Sequence, residues 1–513
     1  MDAYAFSWDF LMNNVLINKQ VKNLESSLDN IISGSKNIAA LLELAQREGF
    51  ELYMVGGFLR DALLGKICKD VDFVSSKASE LTRLVANQTG SKPVLIDRKF
   101  GTIRFMPSVH RDQSGGAFVV DLSPLRGSSI FDDLYQRDFT INSLALNISV
   151  WRSDRGTSLL DPLGGIADLK AGRLRVCSQS SLADDPLRIL RAYRLASAYG
   201  LSLAAETRKG ISQACHLLNQ VAVERIRDEM ILVLSATHSA SILRKLNEDG
   251  ILTLLLPECV EMGNLQRKAS QSQDPWQHSL LTLEALEFLL TNMGDLFGDY
   301  AEEASTVLAQ RLAGERTRQS LLKLGVLLHE IGKPCPGSLG KKGAIHLHPH
   351  QVAGSELAAS LCARLRLSNK EIKFVSQLVR QHLRPIRLFR FSRTPTAGLT
   401  RFFRLGPQLF WPLLLLLASD CQASQEGVSL GDELQPLRRR LCDWLDFYYQ
   451  ELKPRALAPP IISGHDLMKY LHLSPGPLVG RLVKALAELH WVGRISTQQE
   501  ALEHAARLLK KWK

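Results

Sequence analysis

Residues 51–74 read ELYMVGGFLRDALLGKICKDVDFV. An apolar run, a Gly-Gly step, a helical period closed by Gly65 and a second apolar run predict strand, turn, helix and strand. Gly56 and Gly57 then lie between strand and helix, where backbone N–H groups and the helix N-terminus hold phosphates. Arg60, one turn on, adds a charge-assisted contact to those phosphates. Asp70 and Asp72 are two apart on the second strand, so both point to one face. Two carboxylates side by side repel, and a divalent cation between them relieves the cost. Asp121 ends a further apolar strand, Val119-Val120-Asp121, and brings a third carboxylate to the same edge. Three carboxylates beside a phosphate-holding turn suit two-metal phosphoryl transfer. One metal activates an attacking hydroxyl; the other steadies a triphosphate and its leaving pyrophosphate. An Asp-x-Asp step alone is more often a solvated strand face, and GGFLRD ahead of it at this spacing decides against that reading.

Outward from this stretch, Ile38–Arg47 carries an apolar helical period, and GTIRF (101–105) and AFVVDL (117–122) read as strands. Strand signals fade after about Asp161. From Asp184 onward nearly everything scans as amphipathic helix with short Gly, Pro and Ser breaks. Candidate joints are NLQRKASQSQDP (264–275), SQEGVSLGDELQP (424–436) and KPRALAPP (453–460).

At 513 residues the chain is long enough for roughly three or four domains. Its 45% hydrophobic and 22% charged fractions form cores and exclude a mainly disordered, collagen-like or disulfide-stapled chain. Lys+Arg 63 against Asp+Glu 52 gives +11, a surplus that suits a polyanionic partner such as nucleic acid. The eight cysteines are scattered with no C-x-x-C pair, as in a reducing compartment. The first twenty residues lack the pattern of a signal peptide. The longest apolar run, Trp411–Ala418, is far short of the roughly twenty residues of a membrane span. The expectation is a soluble, cytoplasmic protein with no membrane contact.

VGGFLRDALLGKICKDVDFV resembles the signature of the class II tRNA nucleotidyltransferase and bacterial poly(A) polymerase family. FGTIRF, VDLSPLRG, QRDFTINSLAL, DPLGGIADLKAGRLRV, DDPLRILRAYRLASAYG and VERIRDEM follow in the family's order, so the resemblance runs from about residue 38 to 235. It implies an α+β protein: a small mixed-sheet nucleotidyltransferase head, then an extended all-helical neck, body and tail. The expected divisions are an N-terminal extension (1–35), the head (36–160), a helical neck and body (161–270), a helical domain described below (271–425) and a helical tail (426–513). It also implies Mg2+ on Asp70 and Asp72, with Asp121 assisting. Arg137 and Asp138 match the family's Arg-Asp pair, expected at the triphosphate and ribose. Gln136 stands where the family usually has a second Arg, and Asp184 where it usually has Glu.

DDPLRILR (184–191) is expected to start a helix, with Asp185 and Arg188 neighbours on one face. A carboxylate accepts from an exocyclic amino group and a guanidinium donates to a ring nitrogen or carbonyl. Cytosine and adenine both present an amino group beside an acceptor; uracil and guanine present the opposite order. The resemblance implies this same use, a protein template for CTP and ATP. Arg191 and Arg194 repeat the three-residue step and extend a basic stripe toward the triphosphate. The plain alternative is a salt-bridged helix face.

A second constellation lies in the helical region: His278, His329 with Glu330, His350, His382 and Asp420. Their order resembles the HD superfamily of metal-dependent phosphohydrolases, and imidazoles with carboxylates suit a divalent transition metal that activates water. Glu330 stands where that superfamily has Asp. The plain alternative is a retained scaffold that packs against RNA. Between Arg380 and Arg404 lie seven arginines, no acids, and Phe389, Phe391, Phe402 and Phe403. Arginine interleaved with aromatics binds a phosphate backbone and stacks on bases, although part of this run reads as a helix whose Phe face is core.

The expected activity is therefore addition of C, A or both from CTP and ATP to the 3′ end of tRNA. The runner-up is a poly(A) polymerase, which shares these motifs. That branch resembles a strand of two aliphatic residues, Gly, two basic residues and Phe, followed by His. Here Val94–Arg104 has neither that Gly nor the His, which favours tRNA. A metal-dependent phosphohydrolase with a vestigial head is a further reading, against which the intact head motifs argue.

Overall fold

The computed structural model describes residues 23–98, 100–105, 118–148, 159–263, 274–334, 349–391, 394–424, 434–457 and 460–512. Most of the expected N-terminal extension, most of the joints at 264–275 and 424–436, Lys99 and Arg393 lie outside the described residues. The chain divides into two compact units, Met1–Val221 and Ala222–Lys513.

The first unit is built on a seven-stranded mixed sheet with the order β3-β4-β5-β2-β1-β6-β7. Its strands are β1 (Tyr53–Val55), β2 (Asp70–Ser75), β3 (Pro93–Asp97), β4 (Thr102–Phe105), β5 (Val119–Pro124), β6 (Ala145–Asn147) and β7 (Leu159–Leu160). The β2–β5 pair is parallel and the other neighbours are antiparallel. Alternation along each strand feeds two cores. Met54, Val71, Phe73, Phe105, Val120 and Leu122 face one core, which is closed by helices α1 (Lys36–Arg47) and α3 (Ala78–Thr89) through Ile38, Leu41, Leu81 and Val85. Ser35 caps α1 by accepting from the Ile38 N–H. Tyr53, Val55, Val74 and Ala145 face the other core with Ile130 and Leu134 of α4 (Ile130–Tyr135). Phe73 is fully buried, and truncating it to Ala costs about 3–5 kcal/mol of cavity and transfer energy.

Helix α2 (Gly57–Leu63) follows β1 directly, and α5 (Arg188–Tyr199) closes the basic segment. The expected helix from Asp184 is instead broken. Ser181–Asp184 is a separate turn of helix, and Asp185 is extended at φ −146°, ψ 93°. Pro186 is the reason, since its ring pushes the residue before it out of the helical region. Strand structure also persists past Asp161: Arg173–Leu174 pairs in parallel with Ser202–Leu203.

Among the described residues the second unit is helical apart from the hairpin Arg311–Ala313/Arg316–Thr317. Its centre is α10 (Pro407–Ala423), whose residues Phe410–Ser419 are all buried; it packs against α6 (Pro275–Thr291). Trp411 lies edge-on to Phe297 at 5.1 Å. The apolar run at 411–418 is thus core, and among the described residues no single helix is long and apolar enough to cross a membrane. Between these helices lie α7 (Arg318–Leu328), α8 (Pro349–Arg364) and α9 (Asn369–Gln381). The C-terminal helices carry a separate small core of Leu467, Leu482, Leu486, Ile495, Ala501 and Ala505.

Candidate active site

On β2, Asp70, Asp72 and Val74 share one face. Val74 joins the core under α4, so the two carboxylates continue that face beyond the point where the core ends. In the parallel β2–β5 register Asp72 lies directly opposite Asp121, and Asp70 opposite Val119. The three sequence-expected carboxylates therefore stand together at one sheet edge. Burial, opposed by Arg137 and reinforced by Asp121 and Asp70, pushes the Asp72 carboxyl up to about 6. An acidic edge that resists its own ionisation in this way fits a divalent cation.

Gly56 adopts φ +81°, open to glycine at little cost. A Cβ there would lie 3.2 Å from Arg137 Nη1 and 3.5 Å from Asp72 Oδ2, so the missing side chain lets the turn approach both groups. Arg137 itself is held by Asp133, whose Oδ1 accepts from Nη2 at 2.7 Å and from Nε at 2.9 Å. Asp138 is buried. It accepts from the Phe139 N–H at 2.8 Å and Asn142 Nδ2 at 3.0 Å, and pairs with Arg191 at 3.0 Å. Burial raises its pKa, yet Arg191 and these hydrogen bonds pull it below the usual carboxylate range.

Two residues are placed differently from the sequence expectation. Arg60 turns inward: its Nε donates to Asp61, Nη1 to Asn142 and Nη2 to Tyr199, and it stacks 4.1 Å from the Tyr199 ring centre. A guanidinium with three side-chain partners acts as a brace between α2, the Asn142 segment and α5 rather than as an open phosphate ligand. Arg188 likewise donates to main-chain carbonyls of Gln136, Arg137 and Ser181 and to Ser181 Oγ at 2.8–3.3 Å. It fastens the Arg137-Asp138 segment to the start of α5, with Asp185 on the extended break just ahead. Arg194 follows half-buried on α5.

Sequence reasoning missed Asp133, Asn142 and Tyr199 as partners of site residues. It also missed Arg104, which lies opposite Asp121 on β4 and donates to both its carboxylate oxygens at 2.8 Å. The alternation of β4 was the one available signal, and it needed the β4–β5 register to become informative.

In the second unit the helical constellation assembles. Asp420 Oδ1 lies 2.8 Å from His278 Nε2 and 3.7 Å from His329 Nε2. The ring centres of His329 and His382 are 5.4 Å apart, and those of His350 and His382 5.9 Å. Ligand atoms of His278, His329 and Glu330 all lie within 4.8 Å of one another. Nδ1 of His329 and of His382 each faces a main-chain carbonyl, Val326 O at 2.7 Å and Val379 O at 2.6 Å. A carbonyl only accepts, so each Nδ1 carries a proton and each Nε2 is the atom turned to the cluster, the orientation in which an imidazole can ligate a metal. Nε2 of His382 is buried without a hydrogen-bond partner. Glu330 reaches the cluster and pairs with Lys333 at 3.0 Å. Burial opposes its ionisation, but His329 and Lys333 hold its pKa down to about 2. Gly332 makes the approach possible, since a Cβ there would meet His350 O at 2.0 Å. In the Arg/Phe run, Phe402 and Phe403 are core and Phe391 is 52% exposed.

Comparison with known proteins matches three stretches of the chain. Residues 52–175 match the poly A polymerase head domain, 200–262 the probable RNA- and SrmB-binding site of polymerase A, and 276–417 the HD domain. The chain is 30% identical over 463 residues to an A-adding tRNA nucleotidyltransferase of Deinococcus radiodurans, covering 87% of this chain and 93% of that protein. It is 30% identical over 478 residues to a CC-adding tRNA nucleotidyltransferase of Geobacter sulfurreducens, covering 91% and 94%. In fold it resembles a CCA-adding enzyme solved with ATP, with a TM-score of 0.60 and 20% identity over 95% of this chain and 98% of that one. With the motifs in order, the carboxylates on one edge and relatives matched along nearly their whole length, the chain belongs to the tRNA nucleotidyltransferase and poly(A) polymerase family of nucleotidyltransferase enzymes.

Proposed function

We propose that this protein adds C, A or both from CTP and ATP to the 3′ end of tRNA, without a nucleic-acid template and in the cytoplasm. The observation that carries the reading is the Asp70–Asp72–Asp121 face beside Gly56 and Arg137. It occurs in a chain whose relatives, matched over 93% and 94% of their length, are A-adding and CC-adding tRNA nucleotidyltransferases. Asp70 and Asp72 would hold Mg2+, which when bound offsets phosphate charge and acidifies the attacking hydroxyl. The terminal 3′-oxygen attacks the α-phosphorus, the bond to the bridging oxygen breaks, pyrophosphate leaves and the hydroxyl proton passes to water. Arg137 beside the Gly56 turn, with Arg191 and Arg194 along α5, receives the triphosphate, and Asp138 faces the ribose. Asp185 accepts from the exocyclic amino group of cytosine or adenine, while Arg188, bonded to the main chain of Gln136, Arg137 and Ser181, keeps Asp185 in register with Arg137.

The test is incorporation of single labelled nucleotides by the purified protein with Mg2+. Acceptors are tRNA lacking CCA, tRNA ending in C or in CC, and an unstructured RNA. Addition that stops after one to three residues on tRNA alone supports the reading and identifies the step. Long A tracts on any RNA make the protein a poly(A) polymerase, and no incorporation refutes both.

A second activity, phosphohydrolysis at a transition metal, is favoured by the His278, His329 and Glu330 ligand atoms and the inward Nε2 of His382. Turnover of a 2′,3′-cyclic phosphate with and without added transition metal tests it, and metal-independent or absent turnover counts against it.

A further inference from the structure

The carboxylate edge carries its own cation. Strand alternation puts Thr102 and Arg104 on the face of β4 that continues Asp72 and Asp121, and Arg104 is the cross-strand partner of Asp121. Its Nε and Nη2 donate to the two oxygens of Asp121 at 2.8 Å each, the parallel fork in which guanidinium and carboxylate fit best. Both oxygens are thereby engaged in directional bonds. The side chain of Asp121 is 13% exposed and that of Arg104 40%, so the carboxylate is fixed in the sheet while the cation can leave it for solvent. Arg104 also lies in the field of Asp70 and Asp72, which hold its charge in place.

We propose that Arg104 is a resident counter-ion that competes with the divalent cation for Asp121. In the nucleotide-free protein Asp121 is then no metal ligand; Asp70 and Asp72 bind the cation alone and weakly. A triphosphate offers the guanidinium the same forked acceptor geometry as Asp121, so its arrival draws Arg104 off and admits Asp121 to the metal. Tight metal binding in this way waits for the nucleotide. The inference rests on the reading of Asp70 and Asp72 as the metal site.

The test is Mn2+ binding to the full-length, nucleotide-free protein, followed by electron paramagnetic resonance of free Mn2+. An Asp70→Ala/Asp72→Ala chain defines the Mn2+ held elsewhere. Arg104→Gln is expected to tighten Mn2+ at the carboxylate edge about tenfold, the scale on which groups behind a metal ligand act. In an Asp121→Asn background the same change is expected to alter affinity about twofold or less, because there is no longer a carboxylate for Arg104 to withhold. Arg104→Lys, which keeps the charge and loses the fork, falls between the two. Thermal melts of every variant confirm folding before titration. No tightening in a folded Arg104→Gln chain, or equal tightening in both backgrounds, overturns the proposal while leaving the metal site intact. Mn2+ binding indifferent to Asp70→Ala/Asp72→Ala refutes the metal-site reading itself and this proposal with it.

Discussion

Replacing Asp72 by Asn is expected to stabilise the metal-free protein while removing nucleotide addition. Its carboxyl moves from an ordinary 3.8 to about 6, chiefly through burial. A difference of about two pH units corresponds to roughly 3 kcal/mol at 1.36 kcal/mol per unit. Solvent contact at the open end of the sheet reduces this to about 1–2 kcal/mol. The native pKa lies above the unfolded one, so the unfolded chain ionises where the native site still prefers its proton. The penalty is therefore absent below about pH 3.8, grows toward pH 6 and is complete above it. Asn keeps the shape and carries no charge. With EDTA at about pH 7.5, the melting transition of the unit Met1–Val221 should rise about 3–6 °C in Asp72→Asn, at about 3 °C per kcal/mol. At about pH 4.5 roughly a third of the gain should remain. Saturating Mg2+ should reverse the order, because it stabilises only the chain that binds it. A lower melting temperature for Asp72→Asn in EDTA at pH 7.5, or an equal gain at both pH values, refutes the reasoning.

Other substitutions probe the braces. Gly56→Ala, forced to φ +81° with its Cβ 3.2 Å from Arg137 Nη1, should cost about 1–2 kcal/mol in urea denaturation and raise the KM for CTP and ATP. Arg188→Ala frees the segment of Gln136 and Arg137 from Ser181; in competition assays it should raise nucleotide KM at least tenfold and admit UTP and GTP. In the second unit, Lys323 is 2% exposed and donates to Glu287 at 2.9 Å and to Ala236 O at 2.7 Å. Glu287→Leu should destabilise it by about 3–5 kcal/mol in denaturant titration, and adding Lys323→Met should recover most of that loss.

What the sequence revealed and what it concealed divide along the range of the forces. Period-two alternation located both carboxylate strands, because the hydrophobic faces of Val71–Phe73 and Val120–Leu122 fix which way the acids point. The Gly-Gly turn and the helix ending at Leu63 are likewise local decisions. Partner choice is not local. Arg60 and Arg188 carry charge and reach that suit a nucleotide, yet Asn142, Tyr199 and three main-chain carbonyls claim their donors, and only the packed chain brings those acceptors together. Arg104 escaped notice for the same reason: its pairing with Asp121 depends on strand register. The histidine cluster was legible as a list of residue types. Its closure depends on the contact of Gly332 with the main chain of His350 and Gly354, which no spacing rule encodes.

The position of Asn142 carries a consequence for which sequences this fold accepts. Its amide lies between opposite charges, the oxygen toward the Arg60 guanidinium and the nitrogen toward the Asp138 carboxylate. Aspartate would meet the cation well and repel the neighbouring acid. A hydroxyl is too short to span both, and leucine would take one hydrogen bond from each of two buried ions. Only an amide of this length presents an acceptor to one side and a donor to the other. Single-step drift at this codon therefore leads downhill in every direction, and change here requires Arg60 or Asp138 to change with it. A saturation library at 142 that is scored for folding and for nucleotide addition would put a number on how narrow that passage is.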